Sequence, residues 1–281
     1  MLLGFAMQDI KGVLIDLDGV VHQRGAAIPG SIEAIALLRQ LDLDFRFVTN
    51  TTRQPLRLIA EELENAGVAA ERSHVFTPAL AARVYIQDHD LDPFFVIRST
   101  LKEDFANLRP GKKRAVVIAD AYDEFTYANL NEAFRLIEQG AEFLALATNR
   151  SFRDADGELS LDVGGFVACL EYASNRKAHV LGKPSPDFFR LAVSDMGLLP
   201  ANTVMIGDDA EFDVSAAIKA GLHGILVRTG KYKPGAENAV DPKPDAVAQN
   251  LLEAAGLLAK LECVRKSVKR FSDKTHDKTK S

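Results

Sequence analysis

Residues 13–15 form a short, unbroken apolar run that stops abruptly at Asp16-Leu17-Asp18-Gly19. A run with no polar alternation predicts a strand buried on both faces, as in a parallel sheet. Further strand-like runs occupy 45–48, 203–206 and 224–227; the first stops at Thr49-Asn50 and the second at Gly207-Asp208-Asp209. Between them the period changes. Ile32, Ile35, Ala36 and Leu38 form a helical stripe opened by Pro29-Gly30-Ser31, and Gln54-Pro55 starts a second helix ending near Gly67. A helix over 210–220 closes at Gly221, and the last helix is expected over 249–261. Alternating strands and helices predict an α/β fold with a Rossmann-like parallel-sheet core.

The middle of the chain breaks this rhythm. Asn50 and Lys183 stand 133 positions apart, far more than one crossover or loop requires. The interval carries its own strand-like runs at 94–97, 115–119 and 142–147, and helical patterns at 127–139 and 163–174. The expected organisation is a core made of 1–77 and 180–261, an inserted α/β cap domain at 78–179, and a tail at 262–281.

Charge distinguishes that tail. The 281-residue chain has a net charge of −5, yet 262–281 holds seven Lys or Arg against three acids, so it is +4 and leaves the remainder at −9. An acidic body argues against nucleic acid as the main partner. The tail reads as a disordered basic end, with a polyanion-binding arm as the sharper alternative. Cys169 and Cys263 suit free thiols in a reducing compartment. No apolar stretch approaches the ~20 residues of a membrane span, and residues 1–7 lack the basic start of a signal peptide, so a cytoplasmic protein is expected.

Candidate chemistry gathers at the predicted strand ends, where open α/β sheets place ligands. Asp16 and Asp18 point to the same side of an extended segment, which is either a costly repulsion or a cation site. Thr49-Asn50-Thr51-Thr52 offers hydroxyl, amide and backbone donors ahead of a helix, suited to a phosphate or to an ordinary helix cap. Lys183, between Gly182 and Pro184, is either a surface-turn lysine or a partner for a phosphoryl group. Gly207-Asp208-Asp209, with Asp213 beyond, reads as metal ligands or as an acidic helix start.

In this order the four stretches resemble the haloacid dehalogenase superfamily. The matching residues are Asp16-Leu17-Asp18-Gly19-Val20, Val48-Thr49-Asn50, Gly182-Lys183-Pro184 and Gly207-Asp208-Asp209 through Asp213. The insertion resembles the α/β (C2-type) cap of subclass IIA. Leu161-Asp162-Val163-Gly164, Leu170-Glu171-Tyr172-Ala173 and Arg228-Thr229-Gly230-Lys231 resemble the branch containing phospholysine phosphohistidine inorganic pyrophosphate phosphatase.

The resemblance implies a phosphatase acting on a small phosphorylated substrate, with Asp16 as nucleophile and Asp18 as general acid and base. It implies Mg²⁺ held by Asp16, the backbone carbonyl of Asp18 and Asp208, with Asp209 and Asp213 orienting metal-bound waters. Thr49, the Asn50 backbone and Lys183 would hold phosphoryl oxygens. Asn149, Arg150, Phe152 and Arg153 lie in a loop resembling the substrate-facing loop of the cap. Pyrophosphate, phosphohistidine and phospholysine are the branch-level substrates; a broad phosphomonoesterase for nucleotides or sugar phosphates is the alternative, and a non-catalytic binding protein a third reading. A homodimer is a further expectation, with neither nucleic acid nor membrane as partner.

Overall fold

The computed structural model describes residues 7, 9–23, 25–154 and 156–277. The chain begins with β1 (Gly12–Asp16), a small antiparallel pair β2 (His22–Gln23) and β3 (Ala26–Ala27), α1 (Ser31–Gln40), β4 (Asp44–Val48) and α2 (Leu56–Asn65). There follow β5 (Val75–Phe76), α3 (Pro78–Asp88), β6 (Leu91–Val96), β7 (Lys113–Ile118), α4 (Tyr127–Glu138) and β8 (Glu142–Ala145). A hairpin of β9 (Ser151–Arg153) and β10 (Leu159–Leu161) leads into α5 (Val163–Ser174), β11 (His179–Val180) and α6 (Pro186–Asp195). The last elements are β12 (Thr203–Gly207), a π-helical turn (Ala210–Ser215) continuing as α7 (Ala216–Lys219), β13 (His223–Val227), β14 (Ala246–Ala248) and α8 (Leu251–Asp277).

Two compact units emerge. The first comprises 1–47, 63–69 and 193–281, the second 48–62 and 70–192. In the first, strands stand in the order β14–β13–β12–β1–β4, with β1, β12, β13 and β14 parallel. Every residue of β1 and β12 is buried, as their unbroken apolar runs predict. Register pairs Ile15 with Ile206, so the ends of β1 and β12 meet at one edge.

The second unit holds a four-stranded parallel sheet in the order β11–β8–β7–β6. Its core joins Val96, Val116, Ile118 and Phe143 of the sheet to Ala133 and Ile137 of α4 and Val167 and Leu170 of α5. The helices start where their caps dictate. Thr77 accepts from the Leu80 amide at 3.2 Å, Thr126 from Asn129 at 3.2 Å and Asp162 from Val163 at 2.7 Å.

Two elements depart from expectation. Helix α8 runs to Asp277, so the stretch after Leu261 that composition marks as a disordered end is helical through that residue. Neither Gly nor Pro occurs between Leu257 and Asp277, so no strong helix breaker interrupts the stretch. The expected loop after β8 contains the β9–β10 hairpin. Residues 1–6 and 278–281, on which the signal-peptide reading and the end of the tail fall, lie outside the described residues. Among the described residues no helix is long and apolar enough to cross a membrane.

Candidate active site

In the first unit, Asp16 closes β1, Asp208 follows β12 directly, and Asp213 sits in the π-helical turn. Each offers a carboxylate oxygen within 4.8 Å of the others, and all three are buried. Three carboxylates in such a space repel one another unless a proton or cation intervenes. Asp208 registers the conflict: burial first, then Asp16 and Asp213, push its pKa up to about 7 against the pull of the Lys231 amide.

The backbone leaves Asp208 little freedom. Its Oδ2 accepts from the Lys231 amide at 2.6 Å. A Cβ on Gly19 would stand 2.2 Å from Oδ2, and one on Gly230 only 1.8 Å, and both glycines have positive φ. Asp208 Oδ1 is buried and has no hydrogen-bond partner. An orphaned anionic oxygen among three converging carboxylates is what a hard divalent cation with oxygen ligands would satisfy. The donor set fits Mg²⁺.

The neighbouring aspartates divide their work. Asp213 Oδ2 accepts from the Asp209 amide at 3.2 Å, which ties the π turn to the strand end. The Asp209 carboxylate caps the turn, accepting from Glu211 and Phe212 amides at 3.1 and 2.9 Å. Asp18 is exposed, in a tight turn where the Gly19 amide donates to the His22 carbonyl at 2.8 Å, and its carboxylate is outside the three-membered cluster.

The second unit contains Thr49, Asn50 and Lys183. Buried Thr49 accepts from the Thr51 amide through Oγ1 at 3.1 Å. The Asn50 side chain closes a two-bond ring with the backbone of Lys183. Its Nδ2 donates to the Lys183 carbonyl at 2.9 Å, and its Oδ1 accepts the Lys183 amide at 2.8 Å. Two motifs 133 residues apart are thereby held in fixed register. Gly182 is required there, since its Cβ would fall 2.3 Å from the Leu146 carbonyl oxygen.

The expected cap loop is largely the hairpin. Asn149 bonds the Asp162 carboxylate, and its carbonyl accepts the Gly164 amide at 2.9 Å, so it organises the start of α5. Arg150 is exposed, and the side chain of Arg153 lies outside the described residues. Phe152 is half-buried with the Arg53 guanidinium 3.1 Å from its ring centroid.

Sequence reasoning passed over Arg53. Its Nε donates to the Asp120 carboxylate, while Nη2 is buried without a partner. Asp120 is itself buried, receiving the Tyr122 amide at Oδ1 and giving its own amide to Thr52 Oγ1, both at 3.1 Å. A signal was available: Asp120 directly follows the predicted strand at 115–119, and Arg53 directly follows the threonine-rich stretch.

Comparison with known proteins then decides the family. The chain is 40% identical over 235 residues to haloacid dehalogenase-like hydrolase domain-containing protein 2 of Bos taurus, covering 84% of this chain and 90% of that one. This chain belongs to the haloacid dehalogenase-like hydrolase family. The model of that family matches residues 13–119, and a related HAD-hydrolase-like model matches 180–254. The chain is also 37% identical over 257 residues to the phospholysine phosphohistidine inorganic pyrophosphate phosphatase of Mus musculus, covering 89% and 95% of the two chains. Among solved structures, a glycerol phosphate phosphatase from Mycobacterium tuberculosis in complex with magnesium superposes with TM-score 0.76 at 25% identity, covering 87% of this chain and 76% of that one. With phosphatases among its relatives, this haloacid dehalogenase-like hydrolase is a phosphatase, with the α/β core and cap of its fold family.

Proposed function

We propose that this phosphatase is Mg²⁺-dependent and transfers the phosphoryl group of a small substrate first to Asp16 and then to water. The observation that carries the reading is the buried Asp16–Asp208–Asp213 cluster with its orphaned Asp208 Oδ1. Asp16, Asp208 and the backbone carbonyl of Asp18 would hold the ion, with Asp213 alongside and Asp209 holding the turn that presents it. When bound, the ion supplies positive charge that offsets repulsion between these carboxylates and a phosphate dianion.

The residues of the chain carry the chemistry. The Asp16 carboxylate attacks phosphorus and forms an acyl phosphate, which water readily hydrolyses. Asp18, exposed and therefore able to exchange protons, protonates the leaving oxygen and later takes the proton of the attacking water. Thr49, the Asn50 backbone and Lys183 hold the non-bridging oxygens, and the Asn50 side chain keeps Lys183 in place for that work.

For the substrate, the relative named phospholysine phosphohistidine inorganic pyrophosphate phosphatase favours small phosphoanhydrides and phosphoramidates. Phosphate release from pyrophosphate, phosphohistidine, phospholysine, nucleoside monophosphates and sugar phosphates, with Mg²⁺ and after EDTA, tests the proposal. Mg²⁺-restored release from the first three is expected. Undiminished release after complete metal removal would contradict the assigned site.

A further inference from the structure

We propose that Arg53 is a specificity-determining residue that reads an anionic leaving group, so that the preferred substrates carry a second anion beside the phosphoryl group being transferred. The inference rests on the phosphatase reading above and narrows its substrate class.

Arg53 comes four residues after Thr49, on the same short loop as Thr49 and Asn50, two of the proposed phosphoryl-holding residues. Three neighbours fix it. The Asp120 carboxylate takes Nε, and the Phe152 ring lies 3.1 Å from the guanidinium carbon along one face. Thr52 Oγ1, next in the chain, accepts the Asp120 amide at 3.1 Å and so holds the anchor against the loop. A guanidinium paired with a carboxylate frequently bonds it through two parallel N–H groups. Here Asp120 engages Nε, its Oδ1 receives the Tyr122 amide, and Nη2 is left buried without an acceptor. A buried, unmet donor on a charged group is costly, and an anionic oxygen would meet it.

Its place in the sheet of the second unit supports this. Asp120 follows β7 at its carboxyl end, Phe152 lies beyond the carboxyl end of β8, and Lys183 follows β11. Ligands of open parallel sheets bind along that edge. Arg53 reaches into it with orientation already set, so little conformational freedom is lost on binding an anion. A leaving group of neutral alcohol or phenol character makes no use of it; a phosphate or carboxylate does.

The test compares pyrophosphate, 3-phosphoglycerate and p-nitrophenyl phosphate as substrates, with Mg²⁺, for the wild type, Arg53→Gln, Arg53→Lys and Phe152→Leu. Melting temperatures are recorded alongside. Arg53→Gln is expected to raise KM for pyrophosphate and 3-phosphoglycerate by about 10- to 100-fold, with kcat and all p-nitrophenyl phosphate constants little changed. Arg53→Lys keeps the charge and recovers part of the loss. Phe152→Leu keeps the ion pair but frees the guanidinium face, and gives a smaller loss with the same selectivity; it serves if Arg53→Gln fails to fold. Equal losses on all three substrates in Arg53→Gln, no loss on any, or a wild-type enzyme that turns over p-nitrophenyl phosphate but neither pyrophosphate nor 3-phosphoglycerate would overturn the inference. A wild type that releases phosphate from none of them overturns the phosphatase reading itself, and this inference with it.

Discussion

Asp208 shows what the site costs the fold. Burial, and then its neighbours Asp16 and Asp213, raise its pKa from 3.8 to about 7, so the folded protein holds this proton more tightly than the unfolded chain. A carboxyl with a raised folded pKa favours folding least when ionised. Its contribution is most favourable below its unfolded value and is lost as pH climbs towards about 7. Metal-free protein should therefore lose melting temperature between pH 4 and 7 from this group, and Asp208→Asn should flatten that part of the profile. At neutral pH the variant should melt higher than metal-free wild type while losing activity; a lower melting point would argue against electrostatic strain at the cluster. Gly230→Ala tests the packing around the same carboxylate. Its Cβ would fall 1.8 Å from Asp208 Oδ2 at a residue with positive φ, so stability and Mg²⁺ response should both drop.

At the scale of elements, long apolar runs and capped helices were readable in the sequence. Helix α5 spans the 163–174 that its pattern predicts, and local chemistry bounds it, with Asp162 capping its start and Asn175 in the left-handed region at its end. The α/β alternation was equally plain, since strands buried on both faces leave no polar interruption. The β9–β10 hairpin was not. Its strands have three residues each, too few to set a period, and the apolar Leu159 and Leu161 are exposed where a packed strand would bury them. Arg53 was missed for a related reason: its partners Asp120 and Phe152 lie 67 and 99 positions away, and only tertiary structure brings them together. The π-helical turn carrying Asp213 also has no signal in periodicity, although the aspartate itself did. Helix α8 offers a test of where packing ends. Leu251, Ala254, Ala255 and Leu258 are buried. Leu258→Ala should cost about 2–5 kcal/mol in denaturant unfolding, whereas ending the chain after Val264 should leave the melting temperature nearly unchanged. A large loss on truncation would assign core packing to the segment beyond.

For the molecule as a whole, an acidic body acts on an anionic substrate, so the balance of charge at one point matters more than the net value. Asp16, Asp208 and Asp213 gather negative charge in one buried place, and on the proposed mechanism a cation would reconcile that charge with a phosphate. Because the folded chain gathers these ligands and the unfolded chain does not, Mg²⁺ should raise the wild-type melting temperature in a concentration-dependent way. Asp208→Asn should respond far less; an equal rise in both would place the ion elsewhere. The central claim is that Asp16 receives the phosphoryl group, and initial rates of phosphate release from p-nitrophenyl phosphate with Mg²⁺, measured side by side for wild type and Asp16→Asn, test it most directly. The account predicts loss of at least about a thousandfold in kcat with a melting temperature no lower than that of the wild type. Turnover by Asp16→Asn within about tenfold of wild type would contradict it.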